Sequence, residues 1–150
     1  MNDKALGRVL GVDLGLKRTG LALSDEFRIT IRALPNLTVK SRKEDIAFLV
    51  DTIRDWEVVH VVIGHPILPQ SEEEGPMAKR ARGFAAALAE ALSVADLPAQ
   101  IHLLDERGSS QRAAARLVAS GVRKKNRKAA LDGETARILV EEFCLANPDS

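Results

Sequence analysis

Apolar residues recur along the first third of the chain with strand periods, separated by short polar turns. They predict strands at about Arg8 to Leu14, Gly20 to Ser24 and Ile29 to Leu34, and links this short force antiparallel pairing. From Ser41 the period becomes helical. Ser41 and Glu44 form a Ser-x-x-Glu capping box, and Ile46, Leu49, Ile53 and Trp56 fall on one face. Val58 to Gly64, β-branched and polar only at His60, reads as a parallel strand covered on both sides. Ile67 to Gly75 reads as a loop, and Pro76 then opens a helix with Ala81, Phe84, Leu88 and Leu92 inward. Ala99 to Glu106 is the last strand. A helix from Ser109 that buries Ala113, Leu117 and Val118 stops at Gly121, and a basic loop spans Arg123 to Lys128. A final helix from about Asp132 to Leu145 turns Ala136, Leu139, Val140 and Phe143 inward.

This order predicts one α/β domain over residues 1–150. Its mixed five-stranded sheet has three antiparallel strands followed by two parallel ones, with helices on both faces. Ligands in such sheets collect at the carboxyl ends of the strands where the order reverses, which here is beside the first strand.

Asp13 is out of place in that pattern, because a carboxylate in an apolar strand loses hydration and needs a cation or donors in return. Two further acidic positions reach the same edge: Asp105 with Glu106, and Asp132. Alternation puts Ile101, Leu103 and Asp105 on one face and His102, Leu104 and Glu106 on the other, and leaves open which face meets Asp13. Asp132 also fits a helix N-cap. Convergent carboxylates, without a cysteine cluster or paired histidines, point to Mg²⁺ or Mn²⁺. Two such ions ~3.5 to 4 Å apart can activate water against a phosphodiester. His60, His65 and His102 are scattered singly and read as core or rim residues, and Cys144 as a small buried side chain.

Charge and composition narrow the partners. The formal net charge of +1 gives no whole-molecule field, so any attraction to nucleic acid must be local, as in the five cations of Arg123 to Lys128. Aromatics at 3%, with no tyrosine, argue against a binding surface built on stacked bases, of the kind sheet-type readers of single-stranded RNA use. A single cysteine excludes an internal disulfide. No apolar run reaches 18 residues, and the first residues lack a signal-peptide pattern, so a cytoplasmic protein is expected.

Together "GVDLGLKRTGLALSD", "VVIGHP", "EGPMAKRAR", "LLDERGSS" and "RKAALDGETARILV" resemble the YqgF (RuvX) family of RNase H-like nucleases, related in fold to the RuvC Holliday-junction resolvases. The resemblance covers nearly the whole chain in order. It implies an RNase H-like fold, a divalent-metal nuclease centre on Asp13, Glu106 and Asp132, and a role in maturing the 5′ end of pre-16S ribosomal RNA. Branched DNA is the alternative substrate, and oligomeric state stays open. It also implies contacts to nucleic acid from Lys17, Arg18, Arg107, Ser109, Ser110, Lys124, Lys125, Arg127 and Lys128.

The chain departs from the family pattern at His65, at Gly108 and at Glu134, an added carboxylate able to compete for metal. Two other functions compete. Gly11-x-Asp13-x-Gly15 also suits the phosphate hairpin of actin-like ATPases, which need a second lobe. A binding module of the same fold would lack turnover.

Overall fold

The computed structural model describes residues 5–66, 75–105 and 109–150, with Ser109, Ser110 and Lys128 described by backbone alone. In chain order the elements are β1 (Arg8–Asp13), β2 (Arg18–Ser24), β3 (Ile31–Thr38), α1 (Arg42–Asp55), β4 (Val58–His65), α2 (Pro76–Val94), β5 (Gln100–Asp105), α3 (Ser109–Ala119) and α4 (Lys124–Ala146). The sheet runs β3-β2-β1-β4-β5. The pairs β1–β2 and β2–β3 are antiparallel, while β1–β4 and β4–β5 are parallel. The order reverses beside β1, as the pattern predicts.

The two faces of the sheet carry different helices. Leu10, Val12, Leu21 and Leu23 meet Ile46, Leu49, Phe84 and Leu88 of α1 and α2. Val9, Ala22 and Val62 meet Ala136, Leu139, Val140 and Phe143 of α4 on the other side. Both sets are fully apolar, so burial supplies the cohesion on each face. α3 packs on α4 through Ala113 and Leu117. Near the start of β4, buried His60 meets His102 through ring nitrogens 2.9 Å apart, and both rings lie tilted against Phe143. Burial pushes the His102 imidazole below its ordinary value and the neighbouring His60 adds to this; two histidines that read singly in the sequence are a pair joined across β4 and β5.

Four expectations need correction. Ile29 and Thr30 belong to a turn, because the Asp25 carboxylate accepts from the backbone N–H groups of Phe27 and Thr30 and draws residues 25–30 into a bend. β3 therefore begins at Ile31, and pairing of Leu37 and Thr38 with Thr19 and Arg18 carries it on to Thr38. Its Pro35, which cannot donate to a ladder, is tolerated because β3 is an edge strand. Val118 and Trp56 are outside the core, at 53% and 39% exposed. Trp56 is the C-cap of α1, where the helix ends before a side chain there can turn under it. Finally, the basic stretch is helical: α4 begins at Lys124, and Asp132 lies well inside it. Lys, Arg and Ala are strong helix formers, and their propensity outweighs the loop signal of a charge run. The expected loop over Ile67 to Gly75 falls almost wholly outside the described residues.

Candidate functional site

Asp13 ends β1 and lies directly opposite Gly20 of β2. Residues opposite each other in an antiparallel pair share a face. A methyl group built on Gly20 would lie 2.1 Å from the Asp132 carbonyl oxygen and 2.8 Å from its Cβ. Asp13 and Asp132 therefore both flank this glycine on the α4 face. Gly11 continues the same passage, since a Cβ there would come within 2.5 Å of the Ala136 carbonyl oxygen. Two glycines on adjacent strands let the backbone of α4 sink onto the sheet. That depth brings a helix carboxylate to the end of a strand.

Arg18, at the start of β2, reaches Asp132 with Nε 3.4 Å from Oδ2. The pair is long and partly exposed, so it contributes little to stability and can yield to a stronger ligand. Arg80, from the first turns of α2, donates through Nη1 to the Gly15 carbonyl at 2.8 Å and fixes the bend that follows Asp13. Nothing in the spacing singled out Arg80. Its contact depends on the first turns of α2 lying beside the end of β1.

Neighbouring positions divide clearly. His65 ends β4 with its Cα paired to Asp105. On β5, Leu104 packs toward α4 and Ile101 toward α1 and α2, so alternation puts Asp105 on the face away from Asp13. Glu106, Arg107 and Gly108 lie outside the described residues. Among the described residues no group of three histidine, cysteine or acidic side chains is placed to hold a metal ion. Glu134 is not a competing ligand: buried on the side of α4 toward α3, it is held by Arg137 at 2.9 Å and Arg116 at 3.5 Å. Asp132 is not an N-cap either; that position is Arg123, which makes no side-chain capping bond.

Lys17 is exposed in the turn before Arg18, and Lys124 and Lys125 are exposed in the first turn of α4. Arg127 is tied back to the Val122 carbonyl at 3.0 Å. No acid stands in that first turn. Cations at a helix N-terminus add to the positive end of the helix dipole, an arrangement that costs stability until an anion binds. With about 1.5 Å of rise per residue, Lys124 stands roughly 12 Å up the helix from Asp132.

A mixed sheet of this order, flanked by α4 on one face and α1 and α2 on the other, is the RNase H-like fold of the RuvC-type resolvases. RuvC of Thermus thermophilus, solved in complex with a Holliday junction substrate, aligns at a TM-score of 0.55 and 16% identity, covering 93% of this chain and 95% of that one. The fowlpox virus Holliday junction resolvase aligns at 0.57 and 12% identity, covering 93% and 98%. The chain belongs to the RuvX family, described as Holliday junction resolvase, whose profile matches residues 7–145. A relative from Anaeromyxobacter dehalogenans (strain 2CP-C), named "Putative pre-16S rRNA nuclease", is 41% identical over 89% of this chain and 93% of its own. One of the same name from Myxococcus xanthus (strain DK1622) is 34% identical over 95% and 92%.

Proposed function

We propose that this chain is a divalent-metal-dependent endonuclease that hydrolyses phosphodiester bonds in 5′-end processing of pre-16S ribosomal RNA, in the cytoplasm. The observation that carries the reading is that Asp13 and Asp132 both flank Gly20 on one face at the carboxyl edge of the sheet. Glu106 is the third carboxylate of this reading.

An all-oxygen donor set fits Mg²⁺ or Mn²⁺. When bound there, such a cation supplies positive charge for the phosphodiester's developing negative charge. The chain's own residues do the rest. Rigid strand and helix backbone hold Asp13 and Asp132 in place more closely than a loop would. Arg80 keeps the bend after Asp13 from drifting. Arg18 and Lys17 put positive charge at the rim where a phosphate arrives, and Lys124 and Lys125 hold the strand further along. Arg107, Ser109, Ser110, Arg127 and Lys128 complete the proposed contacts.

The RNA reading follows the names of the relatives. A junction-DNA reading is favoured by the family's description and by the RuvC neighbour. Cleavage of a 5′-extended 16S precursor and of a four-way DNA junction, with Mg²⁺ or Mn²⁺ and with EDTA, separates the two. The expected result is metal-dependent cutting of the RNA. Cutting of the junction alone reverses the substrate assignment, and binding of both without cutting leaves a module of the same fold.

The basic turn gives a second expectation. Lys124→Glu with Lys125→Glu should weaken binding to every sequence alike. It should also lower the slope of log affinity against log salt by roughly 1.4 to 1.8, about 0.7 to 0.9 for each phosphate no longer neutralised. An unchanged slope in filter binding across salt would show these lysines to be solvated surface.

A further inference from the structure

On the α1 side of edge strand β3 lies a groove of about 500 Å³, lined by Leu34, Leu37, Lys40, Phe48 and Trp56 among others. Phe48 and Trp56 are 47% and 39% exposed, so two aromatic rings in a chain with few of them stand open in one groove. Trp56 also walls the next hollow, about 280 Å³, together with Arg8, Asp25 and Arg32. The guanidinium carbons of Arg32 and Arg8 lie 4.9 and 5.6 Å from the indole centroid.

Neither arginine pairs with a carboxylate among the described residues. The one acid in the hollow, Asp25, is committed to its own turn, accepting from the backbone of Phe27 and Thr30 and from the Thr30 hydroxyl. Those donors keep Asp25 ionised, so the hollow sets two arginines against one carboxylate and is left with a net positive charge.

At its other end the groove, on the face opposite Asp13 and Asp132, reaches the same end of the sheet as those acids. Thr38 pairs with Arg18 in the β2–β3 register, and the Val39 N–H donates to the Lys17 carbonyl, so Lys40 follows directly on the turn beside Asp132. From Arg32 to Thr38 the strand covers about 20 Å at roughly 3.3 Å per residue. Cations stand at both ends with aromatic surface between them. That is the combination single-stranded nucleic acid requires, because phosphates need charge while the bases need flat apolar partners. A peptide added as a strand fits less well, since Pro35 removes a donor from the middle of β3.

We propose that this groove carries the single-stranded flank of the nucleic-acid substrate, with bases stacked on Phe48 and Trp56 and phosphates set against Arg8, Arg32 and Lys40. The inference rests on the nuclease reading for its substrate, but its test does not depend on cleavage. Trp56 is the only tryptophan, so its emission reports this groove alone. The full chain in EDTA is titrated with a single-stranded RNA of about ten nucleotides, within the range such sites span.

The expected result is saturable quenching of Trp56. Affinity should fall about tenfold or more in the exposed-residue variant Arg32→Ala with Lys40→Ala, and about fivefold or more in Phe48→Ala. Strand binding seen by anisotropy without a change in Trp56 emission would overturn the proposal, as would no binding at all. Equal quenching by a polyglutamate of the same length would overturn it in favour of an acidic protein partner. Loss of the fluorescence response with cleavage intact removes the groove proposal alone, whereas quenching without cleavage removes the nuclease reading alone.

Discussion

Asp13→Asn is expected to lower metal-dependent cleavage at least about a thousandfold while leaving the fold in place. Asparagine keeps the shape of the side chain and one oxygen but removes the charge that would hold a divalent cation. Losing several kcal/mol of charge stabilisation costs a factor of ten for each ~1.4 kcal/mol. Circular dichroism should show the fold retained, because asparagine matches aspartate in volume at this half-buried strand end. That pairing of outcomes distinguishes a working carboxylate from one that supports the fold. Asp105→Asn is the matched control. Its strand position faces away from Asp13, so activity should stay within a few-fold of wild type. Cleavage by Asp13→Asn within tenfold of wild type would remove the nuclease centre from this edge.

Much of this architecture was legible because the signals were local. Short turns dictated antiparallel pairing, and Ser41 caps α1 as its capping box predicts, accepting from the Glu44 N–H. The apolar faces of α2 and α4 also read correctly from their periods. Asp13 stood out as a charge in an apolar strand. What stayed hidden depends on contacts between residues distant in sequence. Nothing near Gly20 announces that its missing side chain is filled by Asp132, more than a hundred positions away. Glu134 looked like a spare metal ligand although Arg137, three positions on, is a partner visible in the sequence; only its second partner, Arg116 of α3, was hidden. Periodicity placed Asp132 at the start of the last helix, whereas a run of strong helix formers carries that helix two turns further back. Which face of β5 meets Asp13 could be decided only once Leu104 and Ile101 were seen in different cores.

The passage cut by Gly20 makes the second large prediction. Gly20→Ala adds one methyl group, yet its position lies 2.1 Å from the Asp132 carbonyl oxygen and 2.3 Å from the carbonyl carbon, both backbone atoms of a helix that cannot step aside alone. α4 is anchored on the same face by Ala136, Leu139, Val140 and Phe143, so relief requires the helix to lift or the strand to bend. The expected cost is about 3 kcal/mol or more, a fall in melting temperature of roughly 6 to 12 °C for a chain of this size. Activity should fall further than stability explains. At a temperature where the variant remains folded, any shift of α4 moves Asp132 away from Asp13, and misplacement by ~1 Å can cost about a hundredfold. Ala22→Gly, one turn of the strand pattern away and buried under the same helix, removes a methyl group instead and separates the two effects. It should cost stability through poorer packing yet leave cleavage close to wild type, because no backbone atom of α4 is displaced. If Gly20→Ala melts and cuts like the wild type, then α4 does not approach the sheet closely enough to set Asp132 beside Gly20 and its partner Asp13.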